Sequence, residues 1–231
     1  MLCRVMKVSP SGYYAWRKRL TKPPSIQPKS FKPKTTDSKG VQAAPNLLAQ
    51  VPIKECAAEK IIIGDITYLP MKNGKFCYLA VWQDKVTRRI IGWSLAETMT
   101  AALVISALKK AISLGLVRAG AIIHSDRGSQ YASNAFRSLL QTNCFRQSMS
   151  GKGNCYDNAQ AESFFSRFKA ELLENGVFED VEQAKSEVFN YIEGYYNRVG
   201  LHSGLGYKSP LEFEMELKSK NKWRRKSFVS I

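Results

Sequence analysis

The chain has 231 residues, 44% of them hydrophobic, and a formal net charge of +16. That is long enough for one large domain, or an ordinary domain with extensions, and apolar enough for a packed core. A membrane span is not expected: no apolar run approaches the roughly 18 residues a spanning helix needs, and Arg4 and Lys7 interrupt the N-terminus where a signal peptide would be apolar.

The charge is uneven. Residues 1–40 hold ten Lys/Arg against one acid and residues 208–231 hold seven against three, so the middle is nearly balanced. Basic flanks suit a polyanion, because each neutralised phosphate releases counterions. Nucleic acid is the leading partner, and the plainer reading is a solvated surface. Five cysteines, Cys3, Cys56, Cys77, Cys144 and Cys155, contain no C-x-x-C pair and indicate a reducing compartment. With only His124 and His202 available, a zinc site of usual spacing is not expected. Any metal must be held mainly by oxygen.

Residues 1–20 read as a short basic helix, with Ser9-Pro10-Ser11 as a cap and Tyr13, Tyr14 and Trp16 following. Pro23, Pro24, Pro28 and Pro33, interleaved with lysines, make 21–56 a Pro/Lys-rich linker. The β-branched run at 61–69 predicts a strand. Lys72-Asn73-Gly74-Lys75 then predicts a type I′ hairpin turn into Phe76–Gln83, and a third strand covers Thr87–Leu95.

Thr100 is placed to cap a helix over Ala101–Ser113, whose Leu103, Ala107, Leu108, Ala111 and Ile112 share a face. A strand at Ala119–His124, a helix at Asn134–Thr142 and a short segment at Cys144–Met149 follow. The order βββαβαβ calls for an α/β fold: three antiparallel strands, then parallel ones reached through helical crossovers, with helices on both faces. Ser148–Asp157, rich in Ser, Gly and Asn, predicts a surface loop before a helix starting near Asn158. Helical periodicity returns over Val181–Tyr196, where core packing is the better reading than a partner groove. A short acidic helix, Leu211–Leu217, gives way to a basic tail over 208–231.

Three acids stand out: Asp65 in the first strand, Asp126 in a glycine-containing turn after the fourth, and Glu162 in a helix. Such elements can converge. Hard cations favour carboxylate oxygen, and two ions about 4 Å apart can activate one oxygen of a phosphodiester while stabilising the departing one. Lys169, seven residues beyond Glu162, shares its helix face. The run His124-Ser125-Asp126 makes a poor serine triad because adjacent strand residues face opposite ways. The sequence has no G-x-S-x-G elbow, Walker loop, dinucleotide fingerprint or internal repeat.

GDITYLP at 64–70, TRRIIGWS at 87–94, HSDRGSQYAS at 124–133, SMSGKGNCYDNAQAESFF at 148–165 and YNRVGLHSGLGYKSP at 196–210 closely resemble the OrfB transposases of insertion-sequence family three. These belong with the DDE transposases and retroviral integrases. Thirty-five residues separate Asp126 from Glu162, the spacing characteristic of that group. The resemblance covers roughly 57–215 and implies a ribonuclease H-like fold with an integrase-type catalytic core over 57–207.

It further implies Asp65, Asp126 and Glu162 as a catalytic triad holding two Mg²⁺ or Mn²⁺ ions, with Lys169 as the basic residue that often follows the glutamate. Lys152, Arg127 and Asn154 are the other expected DNA contacts. The implied activity is that of a DNA transposase: water cuts a transposon strand, and the freed 3′-hydroxyl attacks target DNA. A nuclease of the same fold and a non-catalytic DNA-binding remnant are the rivals. The implied partners are transposon and target DNA, an OrfA product or OrfA-OrfB fusion, and further copies of the chain on DNA. The implied location is the prokaryotic cytoplasm, at the nucleoid. Against the family pattern, the helix-turn-helix region expected after SGYYAW looks deleted. Ile62 and Tyr156 replace tryptophans, and Gly151 and Gly200 replace arginines.

Overall fold

The computed structural model describes residues 43–48, 59–151, 159–172 and 177–227, the last seven by backbone alone. The N-terminal helix and most of the linker read from composition lie outside these residues. β1 (Ile61–Pro70), β2 (Phe76–Asp84), β3 (Ile90–Ala96), β4 (Ile122–Ser125) and β5 (Arg146–Met149) form one sheet in the order β3-β2-β1-β4-β5. β1–β2 and β2–β3 pair antiparallel, whereas β4 runs parallel to both β1 and β5. Residues 43–48 lie along β5, where Leu47 N–H donates to Ser148 Oγ at 2.9 Å.

Strand alternation splits the core in two. Ile62, Ile66, Ala80 and Trp82 point to one face, covered by α1 (Ala101–Ser113), the single-turn α2 (Ser129–Ala132) and α3 (Asn134–Thr142). Leu69, Leu79 and Val81 point to the other, where they meet α4 (Ala159–Leu172) and α5 (Val181–Phe189) through Phe164, Phe165, Phe168, Ala184 and Val188. Trp82 anchors the first core. Its Nε1–H donates to Val104 C=O at 3.0 Å, and its ring stacks on Phe136 with centroids 5.8 Å apart. A Cβ on Gly64 would lie 2.3 Å from that ring, so the residue before Asp65 must be glycine for Trp82 to sit there.

Several local expectations are corrected. Gly74 alone enters the left-handed region, at φ 78°, and its N–H closes the turn onto Met71 C=O, so the hairpin has a three-residue loop rather than a type I′ turn. Thr87 does not begin β3; its N–H and hydroxyl both donate to buried Asp84, locking the β2–β3 turn. Thr100 occupies the N-cap of α1 without a side-chain hydrogen bond. β4 starts at Ile122 because Gly120, at φ 78°, turns the chain just before it. Ser148 and Met149, read as the start of a loop, belong to β5, and both are buried with Ser150.

The helix read over Val181–Tyr196 is α5 continued by a π-helical turn, Asn190–Tyr196. That turn delivers Asn197, whose amide accepts from Ile90 N–H and donates to Ile90 C=O, both at 3.0 Å, as a neighbouring strand would. The acidic helix expected to end at Leu217 runs on as α6 (Pro210–Ser227), and its buried Glu214 pairs with Arg89 at 2.8 Å. Among the described residues no helix is long and apolar enough to cross a membrane.

His202 follows, its ring edge-on to Tyr196 at 4.8 Å. Burial, with the charges of Arg167 and Arg88, pushes its imidazole down from 6.5 to about 4. The unfolded chain therefore takes up this proton first on acidification. The urea midpoint is expected to fall as pH drops from 6.5 towards 4, and replacing His202 with Gln should flatten that part of the profile. An unchanged slope in the variant would remove His202 from the account.

Candidate active site

β1 and β4 place the two aspartates. Ile61, Ile62 and Ile63 lie opposite Ile122, Ile123 and His124, and the same register carried two residues further sets Asp65 level with Asp126, where β4 ends at Ser125. Adjacent strands lie about 4.8 Å apart, and residues at one register step share a face. Asp65 also lies opposite Val81, a residue of the core that α4 covers, so both carboxylates belong to the α4 side of the sheet. Each is half-buried.

Backbone donors orient them. Ile66 N–H donates to Asp65 Oδ1 at 2.8 Å, and Gly128 N–H donates to Asp126 Oδ1 at 2.9 Å. A Cβ on Gly128 would come within 2.7 Å of Gln130 Oε1 and 3.0 Å of Asp126 Oδ1, which explains the glycine in this turn. Behind the pair lies Tyr131, whose buried hydroxyl has no hydrogen-bond partner among the described residues. Burial and the charges of both Asp126 and Asp65 raise its phenol well above the ordinary value. One phenol feeling both carboxylates is independent evidence that they are close.

His124 braces the same corner, its Nδ1 2.8 Å from Ser148 Oγ and its Nε2 3.1 Å from Ser150 Oγ. Arg127 Nε–H donates to Ser150 C=O at 2.9 Å, so part of this guanidinium ties the Asp126 turn to β5.

Glu162 sits in the first turn of α4, which packs on β1 through Phe164, Phe165 and Phe168. Those rings fix the helix and leave Glu162 exposed. Among the described residues no three His, Cys, Asp or Glu side chains stand together as one metal-holding set. The structure thus brings Asp65 and Asp126 together and does not close Glu162 onto them. Lys169 Nζ lies 4.0 Å from the ring centroid of Tyr68, three residues beyond Asp65 on β1. Lys152 and Asn154 lie outside the described residues. Sequence reasoning passed over Tyr131, His124 and Tyr68. All three stand inside the motifs that carried the resemblance, and their neutral or aromatic side chains gave no separate signal.

Two models described as integrase core domains match the chain, over residues 57–155 and 143–210. The transposase for insertion sequence element IS904 of Lactococcus lactis is 43% identical over 185 residues, covering 80% of this chain and 72% of that protein. Transposase InsF for insertion sequence IS3A of Escherichia coli is 41% identical over 186 residues. That match covers 80% of this chain and 64% of InsF, so the chain spans just under two thirds of that relative.

Among solved structures, an intasome of simian T-cell lymphotropic virus bound to a PP2A regulatory subunit aligns with a TM-score of 0.56 and 20% identity. It covers 81% of this chain and 60% of that one. The catalytic core of BIV integrase aligns at 0.51 and 19%, covering 71% and 99%. These distant structures establish the fold, a ribonuclease H-like integrase core. The identity and coverage of the bacterial relatives establish the rest: the chain belongs to the family of DNA transposases of insertion sequences.

Proposed function

We propose that this chain cuts and joins DNA strands at a two-metal site, with Asp65, Asp126 and Glu162 as the metal ligands. The observation that carries the reading is the level placement of Asp65 and Asp126 on adjacent parallel strands, on the sheet face that α4 covers. The donors are all carboxylate, which suits Mg²⁺ or Mn²⁺. Asp65 and Asp126 fit as they stand, and Glu162 supplies the third carboxylate from α4 once DNA and ions are bound. A related fold, the catalytic core of HTLV-2 integrase, is known in complex with magnesium (TM-score 0.50, 19% identity, covering 68% of this chain and 96% of that one).

When bound, the ions would lower the barrier to attack on a phosphodiester and stabilise the departing 3′-oxygen. The protein's own contribution is placement. Ile66 and Gly128 hold one oxygen of each aspartate, while Lys169, Lys152, Arg127 and Asn154 face the DNA backbone. End recognition, by an OrfA product or a fused OrfA segment, and assembly of several copies on DNA complete the proposed system. Its setting is the bacterial cytoplasm. The domain plan proposed is a catalytic core over 57–207 between a linker at 21–56 and a basic tail at 208–231.

The test is strand transfer with Mg²⁺, using duplexes that carry the terminal repeats flanking the coding sequence. Joined products are expected. Cleavage without joining would replace this reading with a nuclease, and DNA binding without either reaction would replace it with a binding remnant.

A further inference from the structure

The flank of α4 away from Glu162 forms one wall of a cavity of about 200 Å³. Gln160, Ser163 and Arg167, at spacings of three and four, line it from the helix; Gln83 and Arg88 line it from β2 and its turn, and His202 closes it. Glu162 and Lys169, seven apart, occupy the other flank. A helix with its side chains is about 10 Å across, so the two sites are separate.

The cavity is polar and its hydrogen bonding is incomplete. His202 Nε2, Gln83 Oε1 and Gln160 Oε1 are buried without partners. Gln83 is 1% exposed, and its amide is already committed to Arg88 C=O and the Tyr196 hydroxyl, so its oxygen is fixed in place. Buried polar atoms left this way each cost about 1–3 kcal/mol and indicate a missing polar ligand or water.

The cations indicate the ligand's charge. Arg88 forms no salt bridge among the described residues. Its guanidinium lies against Gly204, where a Cβ would come within 2.9 Å of Nη2, so glycine there lets the fork sit flat on the backbone. Arg167 is held by Glu171, Leu201 C=O and the Tyr195 hydroxyl, which fixes its direction while leaving other N–H groups for a ligand. Two positioned guanidinium forks, flanked by the Ser163 and Ser203 hydroxyls, match the oxygens of a phosphate.

We propose that this cavity is a phosphate-binding site that grips a DNA backbone phosphate on the side of α4 opposite Glu162. The chemistry is that of phosphate; its assignment to DNA rests on the function proposed above. A strand crossing the exposed ridge of α4 passes from one flank to the other, so the site anchors DNA a few nucleotides from the reacting bond.

The experiment compares the full chain with Arg88→Gln in duplex binding against salt and in melting with inorganic phosphate. The variant should bind duplex more weakly at every sequence, with a salt slope shallower by about 0.9, the loss of one phosphate contact. Inorganic phosphate should raise the melting temperature of the parent and leave that of Arg88→Gln unmoved, while Arg88→Lys should restore part of both effects. Ser163→Glu, an exposed change that sets a negative charge at the mouth, should act like Arg88→Gln even if that variant folds poorly. A phosphate effect without a change in slope would overturn the DNA assignment and leave a site for free phosphate. No effect on either measurement would overturn the site. Failure of the parent to bind DNA, with the phosphate effect intact, would instead count against the proposed function.

Discussion

Glu162→Gln is expected to leave binding of transposon-end DNA unchanged and to slow both cleavage and joining by about 10³-fold, the scale on which removing a charge-stabilising group acts. Glutamine keeps the size of the side chain and its place in the first turn of α4, so the aromatic anchoring by Phe164, Phe165 and Phe168 is undisturbed. What is lost is the negative charge that a divalent ion requires. Because Glu162 is exposed, the melting temperature should not move, which separates a chemical defect from a folding one. Gel assays of strand transfer and a parallel binding titration read both quantities. Equal rates for parent and variant would remove Glu162 from the metal site and leave Asp65 and Asp126 as a pair without their third member.

Gly92→Val is expected to be the most damaging single change to stability away from the site. A Cβ at this position would stand 2.2 Å from Ala107 C=O and 3.2 Å from Ala111 Cβ, so α1 touches β3 backbone to backbone. A carbonyl in the middle of a helix cannot rotate away as a side chain can. The helix must lift, opening the core of Trp82, Leu103, Val104 and Leu108 that it covers. Overpacking of this kind costs about 3 kcal/mol, which for a chain of this size lowers the melting temperature by about 10 °C. Gly194→Ala is the matched control, with no other atom within 4 Å of the added carbon. A Gly92→Val chain melting like its parent would mean that α1 docks more loosely than the geometry indicates.

The strand order was legible because its signals are local and strong. The isoleucines of β1, the Asn-Gly turn and the helical period of 101–113 each dictate an element without help from the rest of the chain. Errors came where distant contacts decide. Asp84 captures Thr87 and shortens β3, and burial against residues 43–48 draws Ser148 into β5 rather than a loop. The type I′ expectation failed because Asn-Gly also serves a longer loop in which only the glycine needs positive φ.

In the site, the pairing of Asp65 with Asp126 was foreseen only as a possible convergence. The register that produces it depends on which residue of β1 meets which of β4, and composition carries no record of that. Tyr131 was invisible for a related reason. An aromatic in a helix reads as core, and only the fold places its hydroxyl in the field of two acids.

The π-helical turn at Asn190–Tyr196 has a bearing on insertions and deletions in this protein. Such a turn carries one residue more than an α-helix needs, and each α-helical residue advances the chain by about 100° around its axis. Losing any one of the seven would let the segment relax to ordinary winding and swing everything beyond it by roughly that angle. Asn197 would leave the backbone of Ile90, and His202 would leave the cavity beside Arg88. The extra residue works as a phase setting, and sequences trimmed by one codon here should be far rarer than those with altered letters.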